Sequence, residues 1–136
     1  MPLLSVTVVF PMFNEEAYVE RAVRAARDVL VRAGHDFEIV IVDDASTDRT
    51  AAIADRLAQA DPRVRVVHNA SNLKLGGALR AGYAPARTDL VFYTDADLPI
   101  DLEELPRAVR LLEYQQADIV AAYRSQSDAE FGFRQL

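Results

Sequence analysis

Continuously apolar runs alternating with helically spaced ones constrain this chain more than any other feature. Leu3–Phe10, Glu38–Val42, Val64–Val67 and Leu90–Tyr93 are rich in β-branched residues and lack the in-and-out alternation of a half-solvated strand. Pro11 is expected to close the first of them. Between them the spacing changes. Val19, Ala22, Val23, Ala26, Val29, Leu30 and Ala33 share one face of a helix that Gly34 ends. Ile53, Ala54, Leu57 and Ala58 mark a second helix, with Ser46, Thr47 and Asp48 as candidate caps and Pro62 beyond it. A short helix runs from Gly76-Gly77 to about Ala84. Leu102, Leu105, Val109 and Leu112 mark a fourth, with Pro106 tolerable in its first turns. Ile119–Ala122 reads as a fifth strand, and Ser125–Leu136 has no assignable period. The fold class is α/β: an open, mostly parallel sheet with helices on both faces.

Composition narrows the function. At 136 residues the chain has about one domain's length. It has no cysteine, which excludes thiolate metal sites and thiol nucleophiles. The net charge is −6 with no basic stripe, which argues against nucleic acid as a partner. Apolar runs fall well short of the ~20 residues of a membrane helix, and the N-terminus lacks the basic start of a signal peptide. These features predict a cytoplasmic, soluble chain.

In open α/β sheets ligands bind outside the carboxyl ends of the strands. Here the first strand is followed by Asn14-Glu15-Glu16, the second by Asp43-Asp44 and the fourth by Asp95 and Asp97. With a strand order of 3-2-1-4, these acids converge on one crevice. Taken singly, each cluster is as well explained by helix caps and turns. Gathered carboxylates repel one another, and an all-oxygen set suits Mg²⁺ or Mn²⁺ completed by substrate phosphates. His35 and His68 have no other ligand at metal spacing and are expected at the surface or at strand ends. Gly76-Gly77 either admits a phosphate or simply makes a tight turn, and Lys74 and Arg80 read by default as a solvated face. No Walker loop, GxGxxG or GxSxG motif is present.

Four segments in series (VTVVFPMFNEE, EIVIVDDASTDRT, SNLKLGGALRAGY and LVFYTDADLPIDLEELPRAV) resemble family 2 glycosyltransferases. The resemblance is closest to the polyprenyl-phosphate, dolichol-phosphate mannosyltransferase-like branch, and spans about Leu4 to Arg124. It implies a GT-A fold, a nucleotide-diphosphate sugar donor, Mg²⁺ or Mn²⁺, and transfer with inversion to a polyprenyl phosphate. It places Pro11, Phe13 and Glu15 around the nucleoside. Asp43, Asp44 and Ser46 belong to the Asp-Asp-x-Ser motif, with Asp44 accepting from the base, and Gly76 also lies on the nucleotide side. Asp95 and Asp97 form the DxD as catalytic and metal-binding acids, with Asp95 also able to touch the ribose. Where the family loop reads Asn-x-Gly-x-Gly, this chain has Asn72-Leu73-Lys74-Leu75-Gly76, and Leu98-Pro99 also departs from many relatives.

Relatives continue past Arg124, so residues 1–124 are expected to form a donor-nucleotide-binding domain. Residues 125–136 would be an irregular tail opening an acceptor-side segment of a longer, membrane-associated parent on the cytoplasmic face. Pairing with a second copy of the chain is left open. A module that binds nucleotide and metal without transferring sugar is the main alternative. A receiver-type signalling domain would carry its acidic pair after the first strand, whereas here a full strand–helix unit precedes Asp43-Asp44. Nucleotidyltransferases would need a Gly-rich loop where Pro11–Glu16 stands.

Overall fold

The computed structural model describes residues 2–124 and 131–135. They form two compact units, Met1–Leu98 and Pro99–Leu136. The first unit contains β1 (Val6–Met12), β2 (Phe37–Asp43), β3 (Val64–His68) and β4 (Leu90–Tyr93). Their order is β3-β2-β1-β4 and every neighbouring pair is parallel, as convergence of the strand ends requires.

Three helices cover this sheet: α1 (Val19–Ala33), α2 (Thr50–Ala60) and α3 (Lys74–Tyr83). In α1 the residues from Val19 to Leu30 that share the apolar face are buried, while Ala33 is only partly so. The helix stops at Gly34, whose left-handed φ of 79° lets its N–H donate back to the carbonyls of Leu30 and Val31. His35 follows and is buried rather than at the surface. Its Nδ1 donates to the Leu4 carbonyl at 2.7 Å, pinning the helix exit to the start of β1.

β1 runs through Pro11 instead of ending before it. Side alternation explains why. The Met12 carbonyl accepts from Asp44 on the β2 side, so Pro11 directs its missing donor toward β4. The β1–β4 register has already ended at Val9↔Tyr93, so no ladder bond is lost.

One sheet face gathers Val9, Val40 and Val42 against Ala78 of α3, and the alternate residues Val8, Phe10, Ile39 and Ile41 are also fully buried. Both faces are therefore dry. Helix α3 approaches so closely that a Cβ on Gly82 would collide with Val9 Cγ1 and lie 3.0 Å from Val42 Cγ2. Glycine is required there by the close packing of helix on sheet.

The second unit begins with a 3₁₀ turn, Leu102–Glu104, capped by the Asp101 side chain, which accepts from the Glu103 N–H. α4 (Leu105–Gln115) follows with its proline in the first turn, where a missing N–H costs nothing. β5 (Val120–Arg124) is the expected fifth strand, shifted by a residue or two. It does not join the parallel sheet but pairs antiparallel with β6 (Phe131–Gln135). The stretch 125–136 thus holds a strand that its sequence does not announce; residues 125–130 and 136 lie outside the described residues. No described helix is long and apolar enough to cross a membrane.

Gly82→Ala should overpack the contact between α3 and the sheet and cost about 1–3 kcal/mol. Denaturant unfolding reads this as a lower midpoint at unchanged slope, and an unaltered midpoint would mean that α3 can move away freely.

Candidate functional site

The loops after β1 and β2 are laced together by side chains that the sequence offers as simple caps. Asn14 Oδ1 accepts from the Thr47 N–H at 2.7 Å and the Asp48 N–H at 3.3 Å, while its own N–H donates to Ser46 Oγ. The Glu15 N–H donates to Thr50 Oγ1, and the Glu16 N–H to Asp48 Oδ2. Asp48 also accepts from the Thr50 N–H, so it meets the start of α2 as expected of a cap. Ser46 and Thr47 serve the neighbouring loop instead.

Asp43 and Asp44, both buried, divide the work at the end of β2. Asp43 Oδ1 accepts from the Ser46 N–H, and its Oδ2 accepts from His68 Nδ1 at 2.9 Å. His68 Nε2 donates in turn to Asp55 Oδ1 at 2.8 Å. Carboxylate oxygens accept, so this pairing favours the form of the ring that carries a proton on both nitrogens. These two bonds, to Asp43 and then Asp55, hold its pKa above the ordinary 6.5. Asp43 therefore supports the site at one remove. Asp44 Oδ1 accepts from Asn69 Nδ2 at 2.9 Å and the Leu73 N–H at 2.8 Å, fixing the loop after β3. Its second oxygen accepts from no described residue.

Beyond β4, Thr94 and Ala96 are buried and anchor the chain, while Asp95 and Asp97 on either side are exposed. The Leu98 N–H closes a turn on the Asp95 carbonyl. Glu15 of the first loop lies within their field. Its pKa is raised, first by burial and then by the charges of Asp97 and Asp95, with Asp48 beyond them. The acids after β1 and β4 thus face one another electrostatically, as the strand order demands.

A cavity of about 290 Å³ opens at this edge, and Pro11, Phe13, Asp44 and Asp95 line it together. Asn72 and Lys74 also line it, with Met12, Leu75 and Ala78 completing the wall. Asp43, Ser46, Glu15, Asp97 and Gly76 are not on its described wall. Asn72 opens the loop that departs from the family pattern, whereas no motif singles out Asn69. Gly76 is exposed with open space around its Cα, whereas a Cβ on Gly77 would lie 2.5 Å from Leu73 Cβ. Neither glycine makes a turn: both lie in the first turn of α3, which begins two residues before Gly76, and the Leu73 side chain leaves Gly77 room for no more than a hydrogen atom.

Among the described residues no three acidic, histidine or cysteine side chains form a ready metal cage. Two exposed carboxylates beside an acid that burial and charge already strain fit a divalent cation that keeps water or phosphate oxygens in its remaining positions.

The connection after each of the four strands has one non-glycine residue in the left-handed region: Asn14 (φ 53°), Ala45 (φ 63°), Lys74 at the first position of α3 (φ 62°) and Leu98 (φ 55°). Asparagine tolerates this conformation, but a residue with an ordinary side chain gives up roughly 1–2 kcal/mol to hold it. The carboxyl edge is where this fold concentrates backbone strain.

The sequence pattern of glycosyl transferase family 2 matches residues 7–136. The chain belongs to glycosyl transferase family 2. Its parallel sheet and flanking helices have the GT-A arrangement. The mannosyltransferase PcManGT from Pyrobaculum calidifontis, solved with GDP-Man and Mn²⁺, superposes with a TM-score of 0.69 at 29% identity. That match covers 81% of this chain and 32% of the neighbour. Glycosyltransferase AglD of Haloferax volcanii is 40% identical over 119 residues, which are 84% of this chain and 19% of AglD. The undecaprenyl-phosphate 4-deoxy-4-formamido-L-arabinose transferase of Pseudomonas aeruginosa is 38% identical over 127 residues, 92% of this chain and 37% of that enzyme. This family 2 chain therefore spans well under half the length of these relatives.

The raised pKa of His68 makes stability pH-dependent. Its folded pKa lies above the unfolded one, so its contribution is complete below about pH 6.5 and is lost as pH rises through the folded value. His68→Gln should flatten the decline in unfolding midpoint above that pH. An identical decline in both proteins would mean that His68 is not the group responsible.

Proposed function

We propose that this chain is the donor-binding part of a metal-dependent, inverting glycosyltransferase that moves a sugar from a nucleotide diphosphate to a polyprenyl phosphate. The observation that carries the reading is the cavity in which Asp44 and Asp95, from the ends of β2 and β4, meet beside Pro11 and Phe13. Pro11 and Phe13 would form the apolar wall against the nucleoside, with the backbone at Gly76 near its phosphates. Asp44, whose Oδ1 is already engaged, would accept the imide N–H of uracil or guanine on its second oxygen. Ser46, Asp43 and Glu15 would hold the loops in place around it. Asp95 and Asp97 would hold Mg²⁺ or Mn²⁺, with Asp95 also near the ribose. The bound ion would neutralise the leaving diphosphate. Inversion follows from a single displacement, in which an acceptor phosphate oxygen bonds to the anomeric carbon as the diphosphate leaves. An ionised phosphate is already a nucleophile, so no general base is called for. The longer protein would work at a membrane surface, where polyprenyl phosphates reside.

Titration calorimetry with UDP and GDP, with and without Mn²⁺, tests the metal assignment. Asp97→Asn should keep the fold and abolish Mn²⁺-dependent binding, and unchanged affinity would remove Asp97 from the site.

Base reading calls for a substitution that spares the loop. Asp44→Asn keeps an oxygen for Asn69 and Leu73 but puts a donor opposite the imide N–H. Losing a hydrogen bond to a charged group costs about 1.5–3 kcal/mol, so UDP or GDP affinity should fall about ten- to a hundredfold. ADP affinity should stay constant. Equal losses for all three would mean that Asp44 acts through the loop alone.

A further inference from the structure

We propose that Lys74 binds the donor's diphosphate with its ammonium group, an inference that rests on the donor-site reading above. Lys74 holds a φ of 62°, a conformation that favours glycine and strains a lysine. Its N–H donates to Asn72 Oδ1 at 2.9 Å, a bond that any residue but proline would make. The backbone therefore gives no reason for a lysine. Nor does packing, because the residue is exposed and its ammonium forms no ion pair among the described residues. What distinguishes the position is the cavity: Lys74 is the only cation on its described wall, which carries the carboxylates of Asp44 and Asp95. A diphosphate entering the cavity brings further negative charge beside these acids, and a cation on the same wall offsets the repulsion. A lysine ammonium, a compact charge on a flexible stem, suits phosphate oxygens whose positions change as a diphosphate departs. An observed backbone outlier beside a candidate ligand is where strain is tolerated for function.

The test compares the 136-residue chain with Lys74→Gly and Lys74→Arg by calorimetry in Mn²⁺, using UDP and uridine, and GDP and guanosine. Glycine suits the left-handed φ, so Lys74→Gly should unfold at the same temperature as the parent chain or higher. It should nonetheless bind the preferred diphosphate about tenfold more weakly, the scale of one charge-assisted hydrogen bond, with nucleoside affinity unchanged. Lys74→Arg should stay within about threefold of the parent chain, because a guanidinium also binds phosphate. Full diphosphate affinity in Lys74→Gly overturns the proposal while leaving the donor site standing. An equal loss of nucleoside affinity overturns it too, since the lysine would then be shaping the loop. If the parent chain binds neither diphosphate, the donor-site reading fails and this inference fails with it.

Discussion

A parallel sheet buried on both faces has almost nowhere to put charge. Val8, Val9, Phe10, Ile39, Val40, Ile41 and Val42 are wholly excluded from water, so polar chemistry is confined to the ends of the strands. At the carboxyl ends the chain turns outward on the same side of the sheet after β1, β2, β3 and β4. Because β1 and β2 are central in the order β3-β2-β1-β4, the loops after them lie between those after β3 and β4. The cavity at this edge draws its wall from all four. The close seating of α3 at Gly82 and the unbroken passage of β1 through Pro11 follow from the same dry sheet.

The carboxylates at this edge divide into groups that hold structure and groups that face outward. Asp43 and Asp48 are occupied by backbone N–H donors, and Asp43 also accepts from the His68 ring. Asp95 and Asp97 face solvent, and Glu15 is held in their field by partial burial. Outward-facing acids that outnumber the one cation beside them are unfavourable for stability alone, which is why the edge reads as a place for a ligand.

Much of this was legible in the sequence because periodicity reports burial directly. β4 matches its apolar run, α1 buries the face its spacing marks, and the acids stand at the strand ends. Features that depend on distant partners were not legible. Nothing local tells that Ser46 and Thr47 bond to Asn14 rather than capping α2, or that His68 reaches acids 13 and 25 residues away. The effect of Pro11 depends on which neighbour its missing donor faces, and β6 pairs through a register that 131–135 cannot announce alone. The left-handed φ of Lys74 is likewise invisible locally, since the residue stands where the chain passes from the Asp44-held Leu73 into α3.

Asp44 joins the sheet, the β3–α3 loop and the cavity in a single side chain. The Leu73 N–H and the Asn69 amide are satisfied by one of its oxygens without any ligand, so the conformational entropy of this wall is already spent in the free protein. The loop is preorganised, and whatever enters the cavity meets a wall that it does not have to freeze. The same economy ties recognition to architecture: sequence drift at this position alters loop order and cavity chemistry together, so neither can be tuned without the other.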